Sequence, residues 1–205
     1  MQYKIVHPNY KRKISFSSTE VIDLLKSWLG ISIAFALVLN TKQGFGMSFL
    51  IAAIAVGSGF LLHELAHKFV AQRYGCFAEF KSFDKMLIMA LILAFIFHFV
   101  FVAPGAVMIY GVVHKRQSGR ISIAGPIMNL FLGAVFFGLS LLTSGTPSII
   151  SSYGAYINIL LGLFNMLPIP GFDGTKVLMW NRKVYALVAG ISLLMMIGAT
   201  MLIQI

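Results

Sequence analysis

The chain has 205 residues, 59% of them hydrophobic and 11% charged, whereas a soluble domain carries about a quarter charged residues and about 45–50% apolar ones. That leaves too little polar surface for a water-soluble globule, and the mean hydropathy of +0.88 is far too high for a disordered chain. The composition points to a polytopic membrane protein with one intramembrane domain, in which the formal net charge of +10 sets orientation and no nucleic-acid partner is expected.

Residues 1–20, with Lys4, Lys11, Arg12 and Lys13, are too polar for a signal-peptide n-region, and no small-residue cleavage site follows them. They read as a basic cytoplasmic tail, followed by a single membrane-embedded domain over 21–205. A span needs roughly 20 largely apolar residues. The candidates are 21–40, 45–70, 86–103, 121–142, 153–167 and 184–205. The second ends in His63, Glu64, His67 and Lys68, and the third contains His98, which reads as a packed or gate-lining residue. Gly and Pro cluster at the ends and breaks of these runs, in Pro104-Gly105, Gly125-Pro126 and Pro168 to Gly174. Gly57, Ser58 and Gly59 suit close helix packing, and Asn129 suits an interhelical hydrogen bond. The single Cys76 excludes an internal disulfide.

His63-Glu64-Leu65-Ala66-His67 is an HExxH pattern in an apolar helical context. Histidines at i and i+4 share a helix face, so both imidazoles can reach one ion. Glu64 can stand beside the ion's open position and take a proton from water. Ionisable groups within a span are expensive and functional by default. Catalytic zinc usually takes three protein ligands, so a third must come from elsewhere among six acids in all. Glu20 and Asp23 flank the first span, and Glu79 and Asp84 read as part of a polar loop with Lys81 and Lys85. Asp173 stands apart after Pro168 and Pro170, which can turn it back toward the bundle; taken alone, an Asp-Gly turn is the better reading of it.

HELAH on one span, Asn165-x-x-Pro168-x-Pro170-x-x-Asp173-Gly174 on a later one and Gly125-Pro126-x-x-Asn129 between them resemble the site-2 protease family of intramembrane zinc metalloproteases, in a compact form without a PDZ domain. The likeness covers about residues 45–174, the expected metal core. It implies one zinc ion per chain held by His63, His67 and Asp173, with Glu64 as general base and Asn165 helping to hold the substrate carbonyl. Residues 102–113 resemble the family's β-forming loop and make Gly105, Ala106, Val107 and Met108 candidate substrate-binding residues; by composition an apolar re-entrant turn fits them equally well. The implied activity is hydrolysis of a peptide bond in a locally unwound transmembrane segment, from single-span proteins or signal-peptide remnants. The alternative is a zinc-binding membrane protein without protease activity, such as a transporter or an inactive scaffold.

Topology can be argued from parity. The second span delivers His67 near its C-terminal end, and the fifth delivers Asp173 just past its own. Both must therefore run the same way, which requires an odd number of crossings between them. The run at 86–103 should then enter and return. Positive charge gives the same answer independently: with that run crossing, the basic residues split almost evenly between the two sides. With it returning, every basic residue except Lys42 falls on the cytoplasmic side. The expected fold is thus an all-α polytopic protein of the cell membrane. It has five full spans plus a re-entrant element with a short β-like loop, its N-terminus cytoplasmic and its C-terminus outside.

Overall fold

A computed structural model describes residues 14–39, 44–100 and 104–203. The tail lysines and Arg12, Lys42, and Val102 of the expected β-forming loop lie outside the described residues. The helices are α1 (Ser18–Leu39), α2 (Phe45–Arg73), α3 (Asp84–Phe97), α4 (Lys115–Leu142), α5 (Thr146–Asn165), α6 (Asp173–Trp180) and α7 (Arg182–Ile203). Among the described residues five of these, α1, α2, α4, α5 and α7, are long and apolar enough to cross a membrane. The remainder of the regular structure is a two-stranded antiparallel sheet of β1 (Phe77–Ser82) and β2 (Gly105–Tyr110). The molecule is an all-α polytopic membrane protein with this one small sheet.

Helix ends depart from the apolar runs where capping chemistry overrides hydropathy. The Ser17 hydroxyl accepts from the Glu20 amide at 3.1 Å, an N-cap that starts α1 inside the expected tail. Helix α4 begins well before residue 121, because His114 and Gln117 form a capping box whose backbone-to-side-chain bond is 3.0 Å. Helix α5 starts at Thr146, with Pro147 in its first turn; Ser148, Ser151 and Ser152 hid this start from a hydropathy reading. It stops at Asn165 because Pro168 disfavours helical backbone just before it. Helix α2 is regular over Phe45–Ile51 and Ser58–Arg73, with a π-helical segment, Ala52–Gly57, between them.

Helices α4 and α5 pack along their lengths, with Leu130 and Ile159 buried between them. Helix α2 lies against α4 and α1, α6 against α4, and α7 against α5. Helix α3 rests on α1, burying Leu87, Ala90 and Ala94, while Met86, Ile88, Met89, Ile92 and Phe95 remain exposed.

The third apolar run does not cross. Helix α3 has 14 residues, a length of about 21 Å against a hydrocarbon core of about 30 Å. Its cap His98 takes a left-handed conformation with φ 52°, and the chain then returns to the place it left. The Phe83 amide donates to the Pro104 carbonyl at 2.8 Å, and Ser82 pairs with Gly105. The excursion closes on its own base. One reading needs correction: Glu79 and Lys81 are not in a polar loop but in β1, and Asp84 opens α3. Alternation hid this, because the sequence Phe-Ala-Glu-Phe-Lys-Ser mixes apolar and charged residues on a short strand covered on one face.

Cysteines in place of Ala78 and Ile109, which are register partners, with Cys76→Ser, should cross-link on mild oxidation, since facing Cβ atoms of such a pair lie roughly 4.5–5.5 Å apart. Peptide mapping that recovers only unlinked thiols would show that residues 84–104 part the strands.

Candidate metal centre

His63 and His67 occupy successive turns of α2, and Asp173 sits in the first turn of α6. Their donor atoms lie within 4.8 Å of one another. His63 Nε2 and His67 Nε2 are 3.0 Å apart, and Asp173 Oδ2 is 3.3 Å from the first and 3.0 Å from the second. Two glycines make this convergence possible. A Cβ on Gly125 of α4 would collide with both imidazole Nε2 atoms, and one on Gly174 would strike the Met166 backbone. The first opens space for the metal, and the second lets α6 fold back onto the end of α5.

The far nitrogens settle the tautomers. His67 Nδ1 faces the Ile121 carbonyl at 2.7 Å, which can only accept, so Nδ1 carries the proton. His63 Nδ1 faces Asn129 Oδ1. The Asn129 amide nitrogen is turned the other way, donating to the Gly59 carbonyl at 3.4 Å and to Asn158 Oδ1 at 3.3 Å, so Nδ1 is again the donor. A neutral imidazole has one N–H, and both Nε2 atoms are therefore bare lone pairs. With both imidazoles neutral, as metal ligation demands, two lone pairs and a carboxylate face one another at about hydrogen-bond distance, an arrangement suited to holding a cation between them. Two imidazoles and a carboxylate form a ligand set suited to zinc, and donation by each Nδ1 to an oxygen is the outer-shell support such ligands have.

Asn158 extends the network. It is fully buried and donates to the Ala55 and Gly154 carbonyls at 2.9 Å each. Ala55 lies in the π segment, where Trp28 Nε1 also donates to the Ala53 carbonyl at 3.1 Å. Sequence reading passed over Asn158, although an asparagine inside an apolar span is itself a signal. Asn129, expected only as an interhelical hydrogen bonder, is the partner of His63.

A cavity of about 320 Å³ opens beside these ligands. Glu64, Asn165, Gly105, Ala106 and Val107 line it, together with Lys176; Met108 does not. Glu64 Oε2 accepts from the Val107 amide at 3.0 Å. Asn165 Nδ2 donates to the Leu161 carbonyl at 3.0 Å, which leaves its carboxamide oxygen free of that bond. Pro126 brings no N–H to α4, so the Ser122 carbonyl on the cavity wall lacks its helical donor.

The comparison with known proteins also points to zinc. The chain is 44% identical over 177 residues to "Putative zinc metalloprotease MJ0611" of Methanocaldococcus jannaschii, covering 84% of this chain and 90% of that one. The chain belongs to the site-2 protease family. It is also 33% identical to "Putative zinc metalloprotease Rip3" of Mycobacterium tuberculosis, over 68% of this chain and 33% of the relative. A third similar protein is "Putative zinc metalloprotease YwhC" of Bacillus subtilis, 28% identical over 64% of this chain and 68% of that one. No family model and no solved structure matches the chain. As a member of the site-2 protease family it is a multi-pass zinc metalloprotease.

Asp173→Ala should abolish tight zinc binding, and Asn129→Ala should weaken it about 10–100-fold, the usual effect of losing an outer-shell partner. Competition against a chromogenic chelator checks both; zinc affinity unchanged in Asp173→Ala would exclude that residue as a ligand.

Proposed function

We propose that the protein hydrolyses a peptide bond within a locally unwound transmembrane segment of its substrate, with one zinc ion per chain held by His63, His67 and Asp173. The observation that carries this reading is the position of Glu64, whose carboxylate lines the same cavity as the three ligands while bonded to a strand edge. When bound there, zinc supplies Lewis acidity, polarising a carbonyl and easing loss of a proton from water. Glu64 takes that proton as the water oxygen adds to the carbonyl carbon. It then gives the proton to the nitrogen as the C–N bond breaks. Asn165, at the cavity wall, gives one Nδ2 hydrogen to the Leu161 carbonyl and has the second to donate to the carbonyl oxygen as charge develops there.

A transmembrane helix resists attack because its backbone is hydrogen-bonded internally. Strand β2 offers an alternative set of partners. Phe80 and Val107 are register partners, yet the amide of each points away from the other strand, to Glu20 and to Glu64. They are a non-hydrogen-bonded pair, so by alternation Gly105 and Ile109 also turn their backbone groups to the outer edge of β2. All three line the cavity, where an unwound segment can add as a strand. Single-span membrane proteins and signal-peptide remnants are substrates of the required form.

For orientation, the positive-inside rule places Lys115, Arg120, Lys176 and Arg182 with the metal centre on the cytoplasmic side. The N-terminus is then cytoplasmic and the C-terminus outside.

Glu64→Gln should retain zinc and lose cleavage of a model transmembrane substrate by about 10²–10⁴-fold, the range for a general acid–base group; equal turnover by mutant and wild type would refute the role. A cysteine appended after Ile205 should react in intact cells with a membrane-impermeant maleimide. Protection of that thiol until the cells are opened would reverse the orientation.

A further inference from the structure

Lys68 follows the second metal ligand directly, yet no surface of its side chain reaches solvent. Its Nζ is paired with Glu20 Oε2 and lies 3.7 Å from the centre of the Phe16 ring. Glu20, 1% exposed, uses its other oxygen to accept from the Phe80 amide of β1 at 2.8 Å. Phe80 is the register partner of Val107, and the Val107 amide donates to Glu64. Glu64 and Lys68 are one turn apart on α2. The contacts therefore form a closed ring that runs from Lys68 to Glu20, Phe80, Val107 and Glu64, then back along the helix. At this register pair α2 holds the β2 edge directly through Glu64 and the β1 edge through Glu20 of α1, which pairs with Lys68.

We propose that Glu20 and Lys68 are positioning residues that fix the register at which β2 presents an unwound substrate strand to Glu64, and so decide which peptide bond is cut. The inference rests on the reading of β2 as the substrate edge. Stability alone does not account for the pair, because apolar residues of similar volume commonly serve a buried site as well as an ion pair does. What the ion pair adds is direction. The Glu20 carboxylate is aimed by Lys68 and can meet only one amide of β1, whereas an apolar contact would let the strand slide. A slip of one residue would turn Val107 inward and offer Glu64 no amide. Strand β1 has two further pins: buried Gln72 of α2 donates to the Ala78 carbonyl at 3.2 Å, and Asp23, a quarter exposed, accepts from the Ser82 amide at 3.2 Å and also pairs with Lys26. Neither of them meets the Phe80 amide opposite Val107.

The test uses full-length zinc-loaded protein in proteoliposomes with a model transmembrane substrate. Cut positions are mapped by mass spectrometry, and KM, kcat and zinc content are measured alongside. Wild type should cut at one dominant bond. Glu20→Gln and Lys68→Met should keep wild-type zinc content while spreading the cuts to neighbouring bonds. Their kcat at the original bond should fall by about 10²-fold, the scale of a misplacement near 1 Å. The exchange Glu20→Lys with Lys68→Glu keeps an ion pair but puts no acceptor oxygen opposite the Phe80 amide, so it should not restore the single dominant cut; restoration would overturn the proposal. If the single variants do not fold, the double variant Glu20→Gln/Lys68→Met, which leaves no unpaired buried charge, takes their place with the same expectation. Unchanged cut positions in folded, zinc-replete variants would overturn the proposal, as would a loss of zinc parallel to the loss of activity. Absence of cleavage by wild type itself would instead overturn the protease reading and the pair's role with it. Hydrogen exchange separates the two cases, since the β1–β2 amides of Glu20→Gln should exchange faster whether or not any substrate is cut.

Discussion

Both imidazoles of the metal helix spend their only proton on an oxygen of α4, the Ile121 carbonyl and the Asn129 carboxamide. From that follows, with both imidazoles neutral, a pocket of three electron-rich atoms suited to a cation. Most of the surrounding structure serves this one arrangement. Helix α4 must come close enough to reach the far side of each ring, which Gly125 permits. It must also hold Asn129 in one orientation, which the Gly59 carbonyl and Asn158 enforce. The short helix α6 then needs only to place one carboxylate, and the two-proline turn before it does so.

A second requirement comes from the membrane. Backbone amides and carbonyls away from water need partners, and a two-stranded sheet has two open edges. On β1 the edge amides of Phe80 and Ser82 are met by the carboxylates of α1. On β2 the Val107 amide is met by Glu64. The acids that satisfy the sheet thus come from two sources, the first turns of α1 and the reaction centre itself. That asymmetry makes β1 the fixed edge and β2 the working one.

Much of this was legible in the sequence because its logic is local or counts charge. Five spans and the pairing of His63 with His67 follow from apolar length and the HExxH spacing, and charge bias alone returns the third run. Asp173 comes from the family resemblance, because the residues alone favour an Asp-Gly turn there. What escaped depends on contacts distant in the chain. Glu20 and Lys68 read as flanking charges because their pairing spans 48 positions, and no periodicity announces it. Asn158 was hidden among apolar neighbours, and β1 among charged ones. The start of α4 escaped for a different reason: a His–Gln cap extends the helix through basic residues that a hydropathy window discounts.

The π-helical segment Ala52–Gly57 has a consequence for how the metal helix can vary. A single π turn accommodates about one additional residue, and each residue of an α-helix advances about 100°. The halves of α2 are therefore out of phase. The upper half is indexed to α1, and Trp28 holds the Ala53 carbonyl of the π segment itself; the lower half is indexed to α4 and Asp173. Removing one residue from 52–57 would restore a uniform helix of sound hydropathy and swing HELAH away from its ligand. The helix can lengthen or shorten above the segment at little risk to the chemistry, but within it the residue count is itself part of the active centre.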